Sequence, residues 1–417
     1  SEAETGMRIL RIIKNLGPGL LFAGAAIGVS HLVQSTRAGA DFGFGLLWAL
    51  LLVNLFKYPF FQYGPRYAAA TGESLIDGYK KLGSWVLVCY FVITLLTMFT
   101  IQAAVTVVTA GLAYNLFGIT NDIGLWSSII TLVCLAILLM GRYKVLDTLM
   151  KLIITVLSIS TIGAVAVALS KSETAVSLAP SLPQGTVEVA FLIAFLGWMP
   201  APLDVSIWHS LWAIEKNKDM KTGFGTQKAL FDFNIGYLST VFLGVCFMSL
   251  GALVMFHSDK EFSSSAALFA QQLIERYTTN LGNVAAVFIA VAAFTTMFST
   301  TLTTLDASPR AMAKTTDLLF PRSSRGYYLF WIIVLSGGTM MILSYFQTSM
   351  ITFVKIATIL SFLTAPLYAL ANLLLVTGKH MPQSLRPSKP LVILSYLGLA
   401  FLVGFCLWYL VSSFDLF

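Results

Sequence analysis

Long apolar runs, separated by short polar segments, follow one another along almost the whole chain. A helix needs about 20 mostly apolar residues to cross the hydrocarbon layer of a bilayer, and runs of about that length recur throughout. The pattern predicts eleven transmembrane helices, here called spans 1 to 11. They cover residues 18–37, 44–66, 85–117, 123–140, 145–169, 187–212, 228–256, 282–306, 327–346, 349–376 and 391–412.

The composition agrees with this pattern. Of 417 residues, 57% are hydrophobic and 11% are charged, whereas about 25% of the residues of a soluble protein are charged. The chain is therefore predicted to be an all-α, multi-pass membrane protein with a single integral domain over residues 1–417. Its four cysteines lie within apolar runs without a CxxC motif, so they are interpreted as small apolar residues and not as a disulfide framework.

The distribution of Lys and Arg predicts the orientation. Of the 26 such residues, 19 lie in one set of ends and loops and four in the other, and the more basic side normally faces the cytoplasm. We expect a plasma (inner) membrane protein with its N-terminus in the cytoplasm and its C-terminus outside. The net charge of +7 then reflects topology. The expected partners are the lipid bilayer and a small solute or ion, with no nucleic acid and no obligate protein partner.

Two spans are interrupted. Span 1 contains the stretch GAAIGVSH, residues 24–31, and span 6 reads FLGWMPAPLDVSIWH, with Pro200 and Pro202 near its middle. Proline inside a helix removes a hydrogen bond and clashes with the preceding turn. Backbone groups freed in this way are tolerated at membrane depth only inside protein or beside a water-filled cavity.

The breaks fall at corresponding places in two five-span halves. Repeat 1 covers about residues 18–170, repeat 2 about 187–376, and the helix at 391–412 is additional. Because each half has an odd number of spans, the second half is inverted relative to the first. Broken helices in corresponding positions of inverted repeats indicate the midplane binding site of a transporter.

The breaks also carry the polar residues of a candidate site. The glycines of the first break alone fit a helix-packing face, and His31 alone fits a hydrogen bond between helices. Asp204 differs, because a carboxylate in mid-membrane is costly and marks a functional site by default. The predicted substrate-binding residues are Gly28, Ser30, His31, Ala201, Pro202 and Asp204 of the two breaks, and Gln102 of span 3.

The first two spans carry the most specific motifs. GPGLLFAGAAIGVSHLVQSTRAGADFGFGLLWALLLVNL, residues 17–55, resembles the first two helices of the Nramp transporters, with a GPG start, an AGA after the first helix and an LLWxLLLxN second helix. Asp232, early in span 7, and the Ser- and Thr-rich span 8 also resemble the family. The resemblance implies a leucine-transporter-type 5+5 inverted repeat with broken helices 1 and 6, and proton-coupled import of Mn²⁺ or Fe²⁺.

The residues that carry the family's chemistry differ here. The family's first break has Asp-Pro-Gly-Asn, whose Asp and Asn bind the metal, and the matching residues 28–31 are Gly-Val-Ser-His. Its sixth helix has Met-Pro-His-Asn with a metal-binding Met, and residues 201–204 are Ala-Pro-Leu-Asp, although a shifted register would place Met199 there. Ala103 and Thr106 stand where its third helix has two proton-moving acids. The standard metal site and proton path are therefore predicted to be lost.

Two functions follow from these differences. The first is a secondary transporter that works by alternating access on a non-standard small polar or charged solute, with the N–H groups of the first break holding an anion and Asp204 an amine. The alternative is a transporter of divalent Mn, Fe or Mg with a rebuilt site that uses His31 and Asp204 as metal ligands. An enzyme is disfavoured because HExxH and GxSxG motifs are absent from the sequence.

Span 8 and two charged residues are relevant to the ion that would be coupled to transport. Span 8 contains the stretch AAFTTMFSTTLTTLDASPR, and some of its hydroxyls are expected to bond back to their own helix. In the wider fold superfamily such hydroxyls bind Na⁺ together with carbonyls of the first break, which implies Ser299, Thr300 and Thr303 as Na⁺ ligands. No cofactor is expected apart from Na⁺ or a proton as coupling ion, and uncoupled transport is the alternative. Lys57, deep in span 2, would pair with an acid or offset a lost cation, and Asp232 is a further candidate.

Overall fold

The computed structural model describes residues 2–173, 175–219, 225–256, 261–263, 265–321, 326–346 and 349–414. Across these residues the chain forms helices, turns and loops and no β-strand. The α-helices, numbered in chain order, are α1 (Glu2–Asn15), α2 (Pro18–Ala26), α3 (Thr36–Phe42), α4 (Leu47–Thr71), α5 (Leu75–Leu82), α6 (Ser84–Phe117), α7 (Ile123–Lys171), α8 (Gly185–Trp198), α9 (Val205–Asp219), α10 (Thr226–Val254), α11 (Ala266–Leu281), α12 (Asn283–Leu319), α13 (Tyr327–Tyr345), α14 (Met350–Thr377) and α15 (Lys389–Phe414).

Each predicted span corresponds to helical segments of the structure, and spans 1 and 6 are the broken ones. In the described residues eight helical segments are long and apolar enough to cross a membrane, and α2 forms a ninth span with Ser30–Phe42, bent by 49°. The other two predicted spans, which are not among these nine, correspond to α4, a helix of 25 residues, and to the pair α8 and α9, which is interrupted between Trp198 and Val205. The predicted all-α architecture is confirmed.

Spans 4 and 5 are formed by one continuous helix. α7 has 49 residues, more than twice the about 20 that one crossing of the hydrocarbon layer needs. It contains two segments, Ile123–Gly141 and Tyr143–Lys171, that are each long and apolar enough to span. The helix therefore supplies both predicted spans.

Three features of the helices are not predicted by the hydropathy pattern. α5 follows span 2 and α11 follows span 7, so these two short helices occupy corresponding places in the two halves. Ser74 begins α5 in a capping box with Asp77. α12 continues past the predicted end of span 8 at residue 306, because Asp306 and Arg310 form an ion pair of 2.7 Å one turn apart that stabilises the polar end of the helix.

Spans 1 and 7 touch through their backbones. A Cβ atom added to Gly19 of α2 would lie 2.2 Å from the carbonyl oxygen of Asp232, and one added to Gly236 would lie 2.2 Å from the carbonyl oxygen of Gly19. Gly39 of α3 and Gly251 of α10 make equally close backbone contacts further along. Small residues permit such close packing, and they place both halves of span 1 directly against α10.

Candidate functional site

The break in span 1 exposes two backbone carbonyls to span 8. α2 ends at Ala26, and helix resumes as a π-helical turn over Ser30–Ser35 before α3 begins. The Thr300 hydroxyl lies 3.1 Å from the carbonyl oxygen of Gly24 and 2.9 Å from that of Ile27. The predicted break is confirmed, and its freed acceptors face side-chain donors of α12.

The break in span 6 exposes the carboxyl end of α8 to span 2. Lys57 of α4 is fully buried, and its Nζ donates to the carbonyl oxygens of Leu196 at 2.7 Å and Gly197 at 3.2 Å. These carbonyls carry the negative end of the helix dipole, which an ammonium group stabilises. Lys57 thus occupies a place where the helix dipole favours a positive charge, and its predicted role in offsetting a lost cation stays a prediction.

A small cavity of about 20 Å³ lies between the two breaks, with room for about one water molecule. Three of the predicted substrate or ion residues line it, namely Ser30, Pro202 and Thr300. Trp198 and Trp208, which flank the second break, also line it. The remaining lining residues are Ala25, Ala26, Val29, Ile101, Val105 and Thr304.

His31 does not line this cavity. Its ring is fully buried against α10, where Nε2 lies 2.8 Å from the carbonyl oxygen of Thr240. Since a carbonyl only accepts, Nε2 carries the proton and Nδ1 accepts from the Ser30 hydroxyl at 2.8 Å. Both ring nitrogens are therefore used in hydrogen bonds, Nε2 to span 7 and Nδ1 within span 1.

Asp204 also lies outside the cavity lining. It immediately precedes α9, is buried, and lies near the phenol groups of Tyr79, Tyr90 and Tyr368. Its Oδ1 atom has no hydrogen-bond partner. Among the described residues there is no group of three or more His, Cys, Asp or Glu side chains that could hold a metal ion.

The other predicted substrate residues are packed within the protein. A Cβ atom on Gly28 would lie 2.3 Å from the hydroxyl oxygen of Thr300, so this glycine permits span 1 to touch span 8. Gln102 of α6 donates from Nε2 to the carbonyl oxygen of Thr301 at 3.2 Å, while its Oε1 is unpartnered. Ala201 is buried in the second break.

The three predicted Na⁺ ligands divide into two groups. Ser299 and Thr300 both approach the first break, since the Ser299 hydroxyl lies 3.3 Å from the carbonyl oxygen of Gly24. The Ser299 hydroxyl also lies 2.8 Å from the carbonyl oxygen of Thr296 in its own helix. The Thr303 hydroxyl bonds within its own helix, at 2.8 Å from the carbonyl oxygen of Ser299. Carbonyl and hydroxyl oxygens therefore meet at Ser299 and Thr300, one turn before Thr303.

Asp232 caps the N-terminus of span 1. Its carboxylate accepts hydrogen bonds from the backbone N–H groups of Gly17 at 3.0 Å and Gly19 at 2.7 Å. A negative charge at a helix N-terminus is favourable. Nearby, Asp147 pairs with Lys151 at 3.1 Å and Lys216 at 3.6 Å, which joins spans 5 and 6 on the same side.

His209 is a candidate functional residue that the sequence pattern did not indicate. It lies on α9, is fully buried, and neither of its ring nitrogens has a hydrogen-bond partner. Its ring packs against Phe22 and Phe233, at centroid distances of 5.7 and 5.8 Å. The available signal in the sequence was a histidine within the broken span 6.

Comparison with known sequences covers almost the entire chain. The sequence model described as natural resistance-associated macrophage protein-like, or Nramp, matches residues 19–412. An uncharacterised protein of Pasteurella multocida (strain Pm70) is 35% identical over 406 residues, which make up 95% of this chain and 92% of that protein.

Solved transporter structures have the same fold at low identity. The Eremococcus coleocola manganese transporter, in complex with an aromatic bis-isothiourea substituted compound, superposes with a TM-score of 0.73 at 15% identity over 95% of this chain and 86% of its own. MhsT in complex with L-phenylalanine has a TM-score of 0.66 at 14% identity, over 96% and 98% of the two chains. Mhp1, a nucleobase-cation-symport-1 family transporter, has 0.60 at 16% identity, over 96% and 91%. With its sequence matched from residue 19 to residue 412, this chain belongs to the Nramp family of membrane transporters.

Proposed function

We propose that this Nramp-family protein is a secondary transporter that works by alternating access on a small polar or charged solute other than the Mn²⁺ or Fe²⁺ of the standard family. The observation that carries the proposal is the position of Lys57, whose ammonium group is bound by the carbonyl oxygens of Leu196 and Gly197 at the second break. A lysine is thus built into the part of the fold where a cation would be favoured.

The charge of Lys57 acts against a divalent cation. The Lys57 ammonium group is held by Gly197, which directly precedes the cavity-lining residue Trp198 in the chain. Like charges repel more strongly inside a protein than in water, and the repulsion is twice as large for a divalent as for a monovalent ion at the same distance. An anionic or zwitterionic solute is instead attracted by this charge.

The two side chains that a rebuilt metal site would need are held apart by different partners. His31 is bound to Ser30 and to the backbone of span 7, while Asp204 lies among tyrosines of other elements. Transition metals in proteins need several nitrogen, oxygen or sulfur donors on one centre. This arrangement argues against a rebuilt metal site that uses both side chains.

Na⁺ is the proposed coupling ion at the first break. The carbonyl oxygens of Gly24 and Ile27 and the hydroxyls of Ser299 and Thr300 form a cluster of neutral oxygens. Because hydroxyl groups rotate, both can turn their lone pairs toward a cation. At the positions of the family's proton-moving acids, Ala103 is buried and the Thr106 hydroxyl bonds to its own helix, which supports Na⁺ over a proton.

A divalent-cation transporter is the second candidate, and one contact favours it. A Cβ atom on Gly244 of α10 would lie 3.5 Å from the sulfur of Met199 and 3.6 Å from Cδ2 of His31. A thioether and an imidazole therefore approach the same point, and both are donors for transition metals. The register in which Met199 takes the place of the family's ligand gives the same pairing.

Flux into proteoliposomes tests both candidates. We expect saturable uptake of a zwitterionic or anionic solute, increased by an inward Na⁺ gradient, and no uptake of Mn²⁺ or Mg²⁺ above empty vesicles. Saturable Mn²⁺ uptake that is lost in both His31→Gln and Met199→Leu would overturn the proposal in favour of the second candidate. Right-side-out and inverted vesicles would test the proposed orientation, with the N-terminus on the cytoplasmic side of the plasma (inner) membrane.

A further inference from the structure

A second and larger cavity, here called the vestibule, lies toward the carboxyl end of α9. Its volume is about 450 Å³. α9 and α12 supply most of its lining, with Leu211 and Glu215 on the first helix and Arg310 on the second. Lys218 and Asp317 also line it and are exposed, so the vestibule opens at the protein surface.

The vestibule and the central cavity are lined by the same two helices. Trp208 of α9 and Thr304 of α12 line the central cavity, whereas Leu211 and Arg310 line the vestibule. The two linings are separated by about one turn of α9 and by fewer than two turns of α12. The shortest path between the cavities therefore passes between α9 and α12.

Trp212 and Asp306 close this path. Both side chains are fully buried, and the indole Nε1 donates to Oδ2 of Asp306 at 2.9 Å. On one side, the ring of Trp212 packs edge-on against that of Trp208, with 6.5 Å between the centroids. On the other side, Asp306 accepts from Nε of Arg310 at 2.9 Å and from Nη2 at 2.7 Å. These contacts connect the lining of the central cavity to that of the vestibule without a gap.

The contacts that hold α9 in place here are polar. Besides the bond from Trp212 to Asp306, Glu215 of α9 forms an ion pair of 3.6 Å with Arg310. Asp306 is held independently on the other side, since the Tyr328 hydroxyl of α13 donates to its Oδ1 at 2.7 Å. Water that fills an open path can replace hydrogen bonds of this kind, so their net cost of separation is small.

We propose that the transported solute passes between the central cavity and the vestibule, and that Trp212 and Asp306 are the gate residues that close this path. Charged side chains of both signs line the vestibule, which suits a polar or charged solute and not an apolar one. The inference rests on the alternating access of the proposed function, but not on the identity of the solute.

The break in span 6 allows the gate to open. α8 ends at Trp198 and α9 begins at Val205, so α9 can move as a body of its own, as the discontinuous helices of such transporters do. Movement of α9 away from α12 separates Trp212 from Asp306. The bond between Asp306 and Arg310 remains, because both residues belong to α12.

Labelling of a cysteine placed at Thr304 tests the gate in proteoliposomes of the full-length chain. Thr304 lines the central cavity and is 2% exposed. Thr304→Cys, with the four native cysteines replaced by Ala, should therefore react slowly with a charged, membrane-impermeant methanethiosulfonate. Trp212→Phe keeps an aromatic ring but loses the N–H group that binds Asp306. We expect it to accelerate labelling about tenfold, and only with the reagent on the side to which the vestibule opens.

Trp331→Phe is the matched control. The indole Nε1 of Trp331 donates to the hydroxyl of Thr316 at 2.9 Å, so this variant also loses one buried indole hydrogen bond to α12. That bond joins α12 to α13 and not to α9, and labelling should keep the rate of the parent protein. Glu215→Gln, which removes only the ion pair with Arg310, should accelerate labelling about twofold.

Faster labelling in Trp212→Phe and Glu215→Gln, with the parent rate in Trp331→Phe, supports the inference. Equal rates in the two tryptophan variants, or acceleration only from the opposite side of the membrane, overturns it. If Trp212→Phe does not fold, the parent rate in Glu215→Gln overturns it alone. Labelling requires no solute, so the gate can stand where uptake of the proposed solute fails. Na⁺-stimulated uptake together with unchanged labelling in Trp212→Phe would leave the proposed function without this gate.

Discussion

The ammonium nitrogen of Lys57 lies 2.7 Å from the carbonyl oxygen of Leu196 and 3.2 Å from that of Gly197. A side chain of span 2 thereby closes the carboxyl end of the first half of span 6. Asp232 of span 7 does the opposite at the amino end of span 1, where its carboxylate accepts from Gly17 and Gly19. Each broken span is thus held by a charge of the sign that its helix dipole favours.

Replacement of Lys57 by Met tests the first of these contacts. The substitution leaves two buried carbonyls unsatisfied, so we expect the free energy of unfolding to fall by about 1–3 kcal/mol and solute flux to fall with it. Thermal unfolding of the purified protein, followed by tryptophan fluorescence, measures the stability. Lys355→Met is the matched control, since Lys355 is exposed and its loss should change stability by less than about 0.5 kcal/mol.

Equal melting temperatures for the Lys57→Met and Lys355→Met proteins would contradict the capping role. A Lys57→Met protein that unfolds at a lower temperature but is restabilised by added K⁺ or Na⁺ would support the capping role, because a free cation would then replace the ammonium group. Choline chloride at the same concentration distinguishes such binding from a general effect of salt.

Replacement of Asp232 by Ala should loosen the amino end of α2. The loss of a helix cap costs about 1 kcal/mol, which corresponds to a roughly fivefold change in an opening equilibrium. Maleimide labelling of a cysteine introduced at Leu20, in a chain whose four native cysteines are replaced by Ala, would measure the opening. We expect labelling to become about fivefold faster.

Asp122→Ala is the control for that measurement. Asp122 caps α7 in the same manner, accepting from the backbone N–H groups of Gly124 at 2.8 Å and Leu125 at 3.2 Å, but it lies at the other end of the spans. Labelling at residue 20 should not change in this variant. Equal acceleration in both variants would mean that the effect is general destabilisation and not release of α2.

The spans and their breaks could be predicted from the sequence because they depend on local properties. Apolar runs of sufficient length identify the helices, and Pro200 and Pro202 identify the second break without reference to any neighbour. The glycines and polar residues of span 1 indicate the first break, and the structure places it between Ala26 and Ser30.

The contacts of the site residues could not be predicted in this way. His31 and Asp204 stand at the expected places in the chain, but their side chains face span 7 and a group of tyrosines, respectively. Which way a side chain points at a helix break depends on the packing of distant elements. The partners of Lys57 are likewise about 140 residues away along the chain, beyond the reach of any local pattern.

Replacement of Gly28 by Ala tests the contact between spans 1 and 8. The added Cβ would lie 2.3 Å from the hydroxyl oxygen of Thr300, too close for any real contact, so either the break or α12 must shift. Overpacking of this kind costs about 1–3 kcal/mol, and we expect solute flux to fall at least tenfold. Gly337→Ala on α13 is the matched control, because its added Cβ would have no neighbour within 4 Å.

Both glycine variants should still elute as monodisperse protein in gel filtration. Wild-type flux in Gly28→Ala would mean that spans 1 and 8 can separate at this point without consequence for transport. Loss of flux in Gly337→Ala as well would show that the assay responds to any added methyl group in the membrane region.

Replacement of Thr300 by Val tests the proposed Na⁺ site at the first break. Valine keeps the shape of threonine but removes the oxygen that lies 3.1 Å from the carbonyl of Gly24 and 2.9 Å from that of Ile27. Trp198 and Trp208 line the neighbouring cavity, so their fluorescence should report Na⁺ binding without knowledge of the solute. We expect the Na⁺ concentration for half-maximal response to rise about tenfold.

Thr295→Val is the matched substitution on the same helix. The Thr295 hydroxyl bonds to the carbonyl oxygen of Val291 at 2.6 Å, within α12 and away from the break, so its Na⁺ response should equal that of the unmodified protein. Because both variants lose one hydroxyl from α12, a difference between them isolates the contact with Gly24 and Ile27. An unchanged Na⁺ response of the fluorescence in Thr300→Val would mean that the first break does not bind Na⁺. The Thr300 hydroxyl would then serve only to hold spans 1 and 8 together.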